Sequence, residues 1–442
     1  VAVDASPGAG RVLIALSHGP LVAEPTWTRF DNITLCRNYG YNCFAGRQTE
    51  LDTTDTGTAT VYFHDQNRTL DDSDLVGRQI MLQLYNPYTA AWQPRWRGHI
   101  DDINRNLVNV PNAPLADCSI SAVGIFDYLG GVRMLPGIFG DAFPAGMSTA
   151  GQVFYEDERV DDRFFALLTD ANLASTMIVV FTGNVFVNET LYDISDVILQ
   201  ACRDAADAEF PGIANFYEDR YGRACFHGRH ARFDPEATAA SASNWNFQRF
   251  AGATREDIST VAAEVKDFSY NRPRTRVINS YLAYPRADEN GVAFKQSLIP
   301  SLVRTDSGSI TTYGYHSEEA PDLIVQKEYP GSGGHTGAQL CGLFGDFYVG
   351  NYAGVRLAVE SVVFQSCPPG DARAQKTWKL MTECDVADAI HLTIDEAGLA
   401  DTPFFVDGVG IECRPLNPSY DLVTFTPNLT PASYYGTDVF DT

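Results

Sequence analysis

The chain has 442 residues, 45% of them apolar and 12% aromatic, enough to build real cores and too much for a disordered chain. Asp and Glu number 56 against 32 Lys and Arg, and the resulting net charge of −24 argues against a protein that grips nucleic-acid phosphates. Length alone suggests about three domains, and no apolar run approaches the roughly 20 residues of a membrane-spanning helix, so no stable membrane insertion is expected.

The first third reads as strands. Val12 to Leu16 is too short for the apolar core of a signal peptide and lacks a basic lead. Without a secretion signal, the sequons at Asn32, Asn67, Asn188 and Asn428 are not expected to carry sugar. Ala59, Val61 and Phe63 alternate with Thr58, Thr60 and Tyr62. Ile80, Leu82 and Leu84 repeat that period of two, as do Cys118, Ile120 and Ala122 against Ser119 and Ser121. Trp96 to Ile100 is a further strand between them. Polar turns at Asp65–Arg68 and Asp71–Asp74 separate these runs, which together suggest a barrel or sandwich.

The middle changes character. Met134 to Gly151 is rich in Gly and Pro and reads as a connector. A helix is expected over Asp193 to Phe210, with Asp193 as its N-cap and Pro211-Gly212 as its stop. A hairpin follows, Asn215–Glu218 and Arg223–His227, turning over Asp219 to Gly222. In the last third, Val355, Leu357 and Val359 alternate, as do Ile390, Leu392 and Ile394. Phe404–Val406 and Val409–Ile411 form an expected hairpin about Asp407-Gly408. Leu422–Thr426 is a closing strand ended by Pro427, and Gly337–Tyr348 is a helix weakened by Gly342 and Gly345.

No catalytic, cofactor or metal set stands out. G-x-S-x-G, H-E-x-x-H and the Walker A pattern are absent, and Gly331–Gly334 lacks a following phosphate-binding Lys. His227 and His230 fall on opposite faces of a strand end, and Asp71, Asp72 and Asp74 lack calcium-loop spacing. The acid pairs Asp101-Asp102, Asp161-Asp162 and Glu318-Glu319 point apart as strand neighbours, so a glycosidase is not expected. Nine cysteines without a C-x-x-C read as reduced, buried thiols of a protein made in a cytoplasm, with a Cys36–Cys43 bridge as the alternative.

Gly46-Arg47-Gln48-Thr49-Glu50-Leu51-Asp52, then a strand opening at Gly57 and the turn Asp65-Gln66-Asn67-Arg68, resembles the amino-terminal signature of minor tail proteins from long-tailed actinobacteriophages. Arg97-Gly98-His99-Ile100-Asp101 resembles the family's next element, with Trp96-Arg97 in place of Leu-Phe. Ala122 to Leu129 resembles the segment that closes its first barrel. Ala205–Glu209 and the run with Asp219, Gly222 and Arg223 resemble its helix and hairpin. Val277-Ile278-Asn279, Ser309–Gly314 and Trp378-Lys379-Leu380 resemble later landmarks, whereas the Asp306–His335 region and the stretch near Phe139 do not align.

The resemblance implies a baseplate-hub plan: mainly β with an α/β insertion, two tail-tube-like β-barrels plus a small α/β module. The corresponding divisions are 1–133, 134–235, and 236–442 with a helical decoration. It implies a non-enzymatic homotrimer at the virion tail tip, assembled in the host cytoplasm, that joins tube to tip and closes the tube until genome ejection. The implied partners are distal-tail ring or tail-tube proteins, the tape-measure carboxy terminus, fibres or spikes, and passing DNA without specific binding. A distal-tail ring protein, or a carbohydrate- or receptor-binding tip protein, is the alternative. Acidity concentrated on a channel wall would let DNA slide, although the same charge also serves solubility.

Overall fold

Alternation of buried and less buried residues marks β4 and β7 among the first seven strands, which are β1 (Gly10–Ala15), β2 (Trp27–Arg29), β3 (Tyr39–Gly46), β4 (Asp55–His64), β5 (Gln79–Asn86), β6 (Ala91–Val108) and β7 (Leu115–Val123). The short helices α1 (Asp72–Leu75) and α2 (Ile125–Gly131) accompany them. The structure is a computed structural model. It describes residues 9–19, 25–31, 39–49, 52–64, 72–108, 115–143, 151–229, 231, 249–254, 263–288, 291–328, 334–370, 372–417 and 420–435. Of the residues singled out from sequence, Asn32, Cys36, Glu50, Leu51, Asp65, Gln66, Asn67, Arg68, Asp71, His230 and residues 331–333 lie outside those ranges.

The middle of the chain holds β8 (Gln152–Tyr155), β9 (Glu158–Arg159), α3 (Val160–Asp170), β10 (Ile178–Val180), β11 (Val185–Val187), β12 (Thr190–Asp193), α4 (Ile198–Glu209), β13 (Asn215–Glu218) and β14 (Ala224–His227). Strands β13 and β14 form the expected antiparallel hairpin, and β10 adds to β14 in parallel. Helix α4 buries Ile198, Ala201, Cys202, Ala205 and Ala208. It starts later than Asp193, which instead ends β12. The chain turns there, with Asp196 N–H donating to the Asp193 carbonyl, and Val197 remains extended before the first helical residue. Phe164 stacks on Phe226 at 4.1 Å and Phe126 on Phe216 at 4.5 Å, so an aromatic core joins α3, α2 and the hairpin.

The remainder comprises β15 (Arg249–Thr254), β16 (Ala263–Asn271), β17 (Ser280–Pro285), β18 (Arg304–Thr305), α5 (Ser307–Tyr313), β19 (Ser317–Leu323), β20 (Val325–Glu328), α6 (Gly337–Tyr352), β21 (Ala358–Gln365), α7 (Ala372–Glu383), β22 (Ala389–Ile394), β23 (Leu399–Asn417) and β24 (Tyr420–Pro431). Helix α6 opens with a capping box between Thr336 and Gln339 and continues past Tyr348. Its glycines make room for Arg304, because a Cβ at Gly342 or Gly345 would lie 2.8 or 2.7 Å from that side chain. Phe210 packs on Phe344 and Phe347, tying α6 to the end of α4.

The fold is therefore mainly β with an α/β insertion. One 13-stranded sheet runs β2-β1-β5-β6-β7-β4-β3-β23-β22-β15-β16-β21-β24, and β24 also pairs with β23. Six strands, β22-β15-β16-β21-β24-β23, thereby complete a closed circuit of pairings. The first region ends on β3, which pairs antiparallel with β23 from Gly46–Gly408 to Tyr41–Cys413.

Three expectations in the last third need correction. Asp407-Gly408 is not a hairpin turn. Strand β23 runs straight through it, and the register on β24 shifts between Val406 and Gly408. The Asp-Gly pair is a bulge at a close backbone approach, since a Cβ on Gly408 would lie 2.6 Å from the Arg47 carbonyl. Strand β24 continues past Pro427 to Pro431. Strand β21 begins at Ala358, leaving Val355 exposed before it.

Candidate functional site: the joint between the β regions and the α/β module

Where β3 ends, Gly46 has φ +100, and a Cβ there would lie 2.3 Å from the Asp407 carbonyl. The left-handed backbone and the close approach both call for glycine. Arg47 then turns inward and is 3% exposed. Its Nε and Nη2 donate to Asp407 Oδ1 at 3.2 and 3.1 Å, and its Nη1 donates to the Gly212 carbonyl at 2.9 Å. One guanidinium thus joins the first β region, the second and the α/β module. Asn428 Nδ2 reinforces the joint by donating to the Arg47 carbonyl and to Gln48 Oε1. Asp52 is exposed, and its N–H donates to the Thr49 carbonyl.

A second tie centres on Glu218, 2% exposed at the end of β13. Its Oε2 accepts the Gly57 N–H at 3.0 Å and its Oε1 accepts the Phe126 N–H at 2.6 Å, inside the first turn of α2. The helix dipole favours a negative charge there. Glycine creates the space: a Cβ on Gly57 would lie 2.5 Å from Glu218 Oε2, and one on Gly124 only 1.9 Å from it. Burial pushes the carboxyl up to about 7, the two N–H donors oppose that, and Asp219 and Asp127 add to it. Trp96 Nε1 is buried nearby without a hydrogen-bond partner among the described residues, about 3.0 Å from where a Gly57 Cβ would sit.

The hairpin turn carries the third tie. Asp219 Oδ1 accepts the N–H groups of Tyr221 and Arg223, and its Oδ2 pairs with the Arg223 guanidinium at 2.6 Å. Gly222, at φ +71, lies against the backbone of Arg97. Arg220 N–H donates to Asp385 Oδ2 at 2.9 Å. The Arg220 guanidinium donates to the Thr382 and Glu383 carbonyls, and Arg95 donates to those of Thr382 and Cys384. Two cations from different parts of the chain thus hold the carbonyls at the end of α7, where the dipole is negative. Gly98 lies one strand away, where a Cβ would meet the Val123 carbonyl at 2.2 Å.

Of the residues singled out from sequence, Gly46, Arg47, Gln48, Gly57, Asp219, Gly222 and Arg223 meet at this joint, and Gly98 borders it. Asp407 was singled out only as a turn residue and Glu218 only as a strand residue, and neither they nor Gly124, Arg220 and Asp385 were singled out as anchors. Their partners are far along the chain, 360 residues apart for Arg47–Asp407 and 161 for Gly57–Glu218. The other candidates separate: Asp74 pairs with Arg78, Asp161 with Arg159, and buried His227 faces the Tyr217 hydroxyl at 3.0 Å. Eight cysteines are free thiols, and no cluster of metal-ligating residues occurs among the described residues.

Next to the joint, one cross-strand row passes through both β regions. In register it reads Asp102, Ser121, Thr60, Asn42, Glu412, Thr424 and Gln365, on β6, β7, β4, β3, β23, β24 and β21. All seven are exposed or half-buried, two are acidic, and none is Lys or Arg.

No protein-family model matches the chain, and no curated protein matches it in sequence. Two solved structures share its fold along almost their whole length. A tail protein from Neisseria meningitidis MC58 superposes with a TM-score of 0.56 at 9% identity, over 98% of this chain and 99% of that one. The 43 kDa tail protein of prophage MuSo2 from Shewanella oneidensis gives 0.53 at 8% identity, over 95% and 98%. At such identities the likeness is one of fold: this chain has the fold of those tail proteins.

Proposed function

We propose that this chain is a structural component of a phage tail, and specifically the tail-tip hub. The observation that carries the reading is the shared architecture: two β regions, the seven strands β1–β7 and then the six-strand closed circuit, joined edge to edge by β3 and β23 in a fold common to two tail proteins end to end. Three copies would offer six such regions to a six-fold tube, an arrangement favoured by closed oligomers. The row from Asp102 to Gln365 suits a channel wall, because small neutral and acidic side chains give DNA phosphates nothing to grip. On this reading the protein sits in the virion tail tip, is assembled in the host cytoplasm as a homotrimer, and needs neither a catalytic residue nor a cofactor. It meets distal-tail ring or tube proteins, the tape-measure carboxy terminus and fibres or spikes, and inserts stably into no membrane.

Cryo-EM of the particle, with native mass spectrometry of the purified protein, tests this. Three copies per tail, with the Asp102–Gln365 row facing the lumen and acids outnumbering Lys and Arg there, are expected. A hexameric ring of this chain would replace the hub with a distal-tail ring protein. A neutral or basic channel would reduce the acidity to a solubility device.

A further inference from the structure

Glu218 differs from every ion pair at the joint. It is a buried carboxylate whose two described partners, the Gly57 and Phe126 N–H groups, are both donors, as is the unpartnered indole N–H of Trp96 beside it. The charged and titratable groups around it do not supply a counter-cation. From α2 comes the acid Asp127, and from the hairpin the acid Asp219. On the hairpin, Arg223 is committed to Asp219. On β6, Arg97 donates to Gln79 Oε1, and His99 is held down to about 4 by burial and by Arg97, so it is neutral from mildly acidic pH upward. On α4, Arg203 donates to the Thr54 carbonyl. Burial and the neighbouring acids favour the neutral acid, while the helix terminus and the two N–H donors favour the anion.

We propose that Glu218 is a proton-operated latch between the α/β module and the first β region. Ionised, it holds the Gly57 and Phe126 N–H groups to one side chain and so ties β4 and α2 to β13. Protonated, it loses its charge and offers less acceptor capacity to the same two N–H donors, and one of the two bonds weakens and lets go. The opposing balance puts the change close to neutrality, where Glu218 sits at about 7. This inference stands on the joint itself and holds whether or not the chain is a hub.

The test is a pH titration of tryptophan fluorescence on the full chain, with Glu218→Gln and Trp96→Phe as variants, and amide exchange at Gly57 and Phe126 corrected for intrinsic rates. The wild type should show a transition with a midpoint near pH 7 that is missing in both variants. Protection at one of the two amides should fall as the pH drops through it. The sign of the stability effect is also fixed. A carboxyl raised in the folded state stabilises most below its unfolded pKa, and that contribution is lost as pH rises through about 7. The wild type should therefore lose stability relative to Glu218→Gln between pH 5.5 and 8.5. A transition that persists in Glu218→Gln overturns the proposal, as does a wild-type signal that is flat across that range. Should Glu218→Gln fail to fold, amide exchange in the wild type decides: protection at both Gly57 and Phe126 that stays unchanged as the pH drops through about 7 overturns the proposal.

Discussion

The two β regions manage their edges differently. The carboxy-terminal six strands return on themselves through β23–β24, so every strand in the circuit has two neighbours from the same region. The amino-terminal strands find no such closure among the described pairings. At one side of the region β3 passes its free edge to β23, and at the start of β1 the Gly10 N–H donates to Asp421 Oδ2, at the start of β24, at 3.0 Å. An unpaired edge invites association with other chains, and here another part of the same chain covers it. One region is therefore self-sufficient in its pairings and the other depends on the seam, which is where the buried Arg47 and Asp407 pair.

That dependence can be broken by degrees. The harshest blow is Gly98→Val, because the new side chain meets the Val123 carbonyl and the Trp96 ring with nowhere to move. Loss of about 4 kcal/mol or more, or of soluble protein, is expected, read by denaturant unfolding. Arg47→Met strikes the seam instead. It leaves Asp407 buried without its cation and should cost about 3–5 kcal/mol, most of which Asp407→Leu in the same chain should restore. Hydrogen exchange should then show β3 and β4 loosening before β21 and β24. If both regions loosen together, the asymmetry drawn above is wrong. Arg220→Ala should do least, about 1–2 kcal/mol, since Arg95 still holds the carbonyls at the end of α7. Adding Arg95→Ala should cost more than the two single changes combined, which a double-mutant cycle measures.

Local pattern reaches only some of this architecture. Strands β4 and β7 bury one face at period two, whereas β5, expected to do the same, buries both faces, and the hairpin at Asn215–His227 lies where its turn residues put it. The Asp-Gly at 407–408 misleads because a turn signal and a bulge signal use the same residues; only the approach of the Arg47 carbonyl, 360 residues earlier, selects the bulge. Asp193 misleads similarly, since a good N-cap residue also suits the end of a strand that turns before its helix. Arg47 and Asp219 were visible through a family-like motif. Glu218, Asp407 and Asp385 were not, because nothing in a carboxylate's neighbours along the chain says that a glycine or arginine far away will enclose it.

The seam also sets an order of events during synthesis. Strand β3 is complete by Gly46, yet the edge that covers it begins at Leu399. At roughly 5–20 residues per second, a ribosome leaves that edge bare for on the order of 20–70 s. Non-local pairing of this kind is slow to form even once the whole chain is present. A chain cut short before β23 would carry its first β region with an open flank, ready to pair with its neighbours on the polysome. Only a full-length product can bury its own beginning.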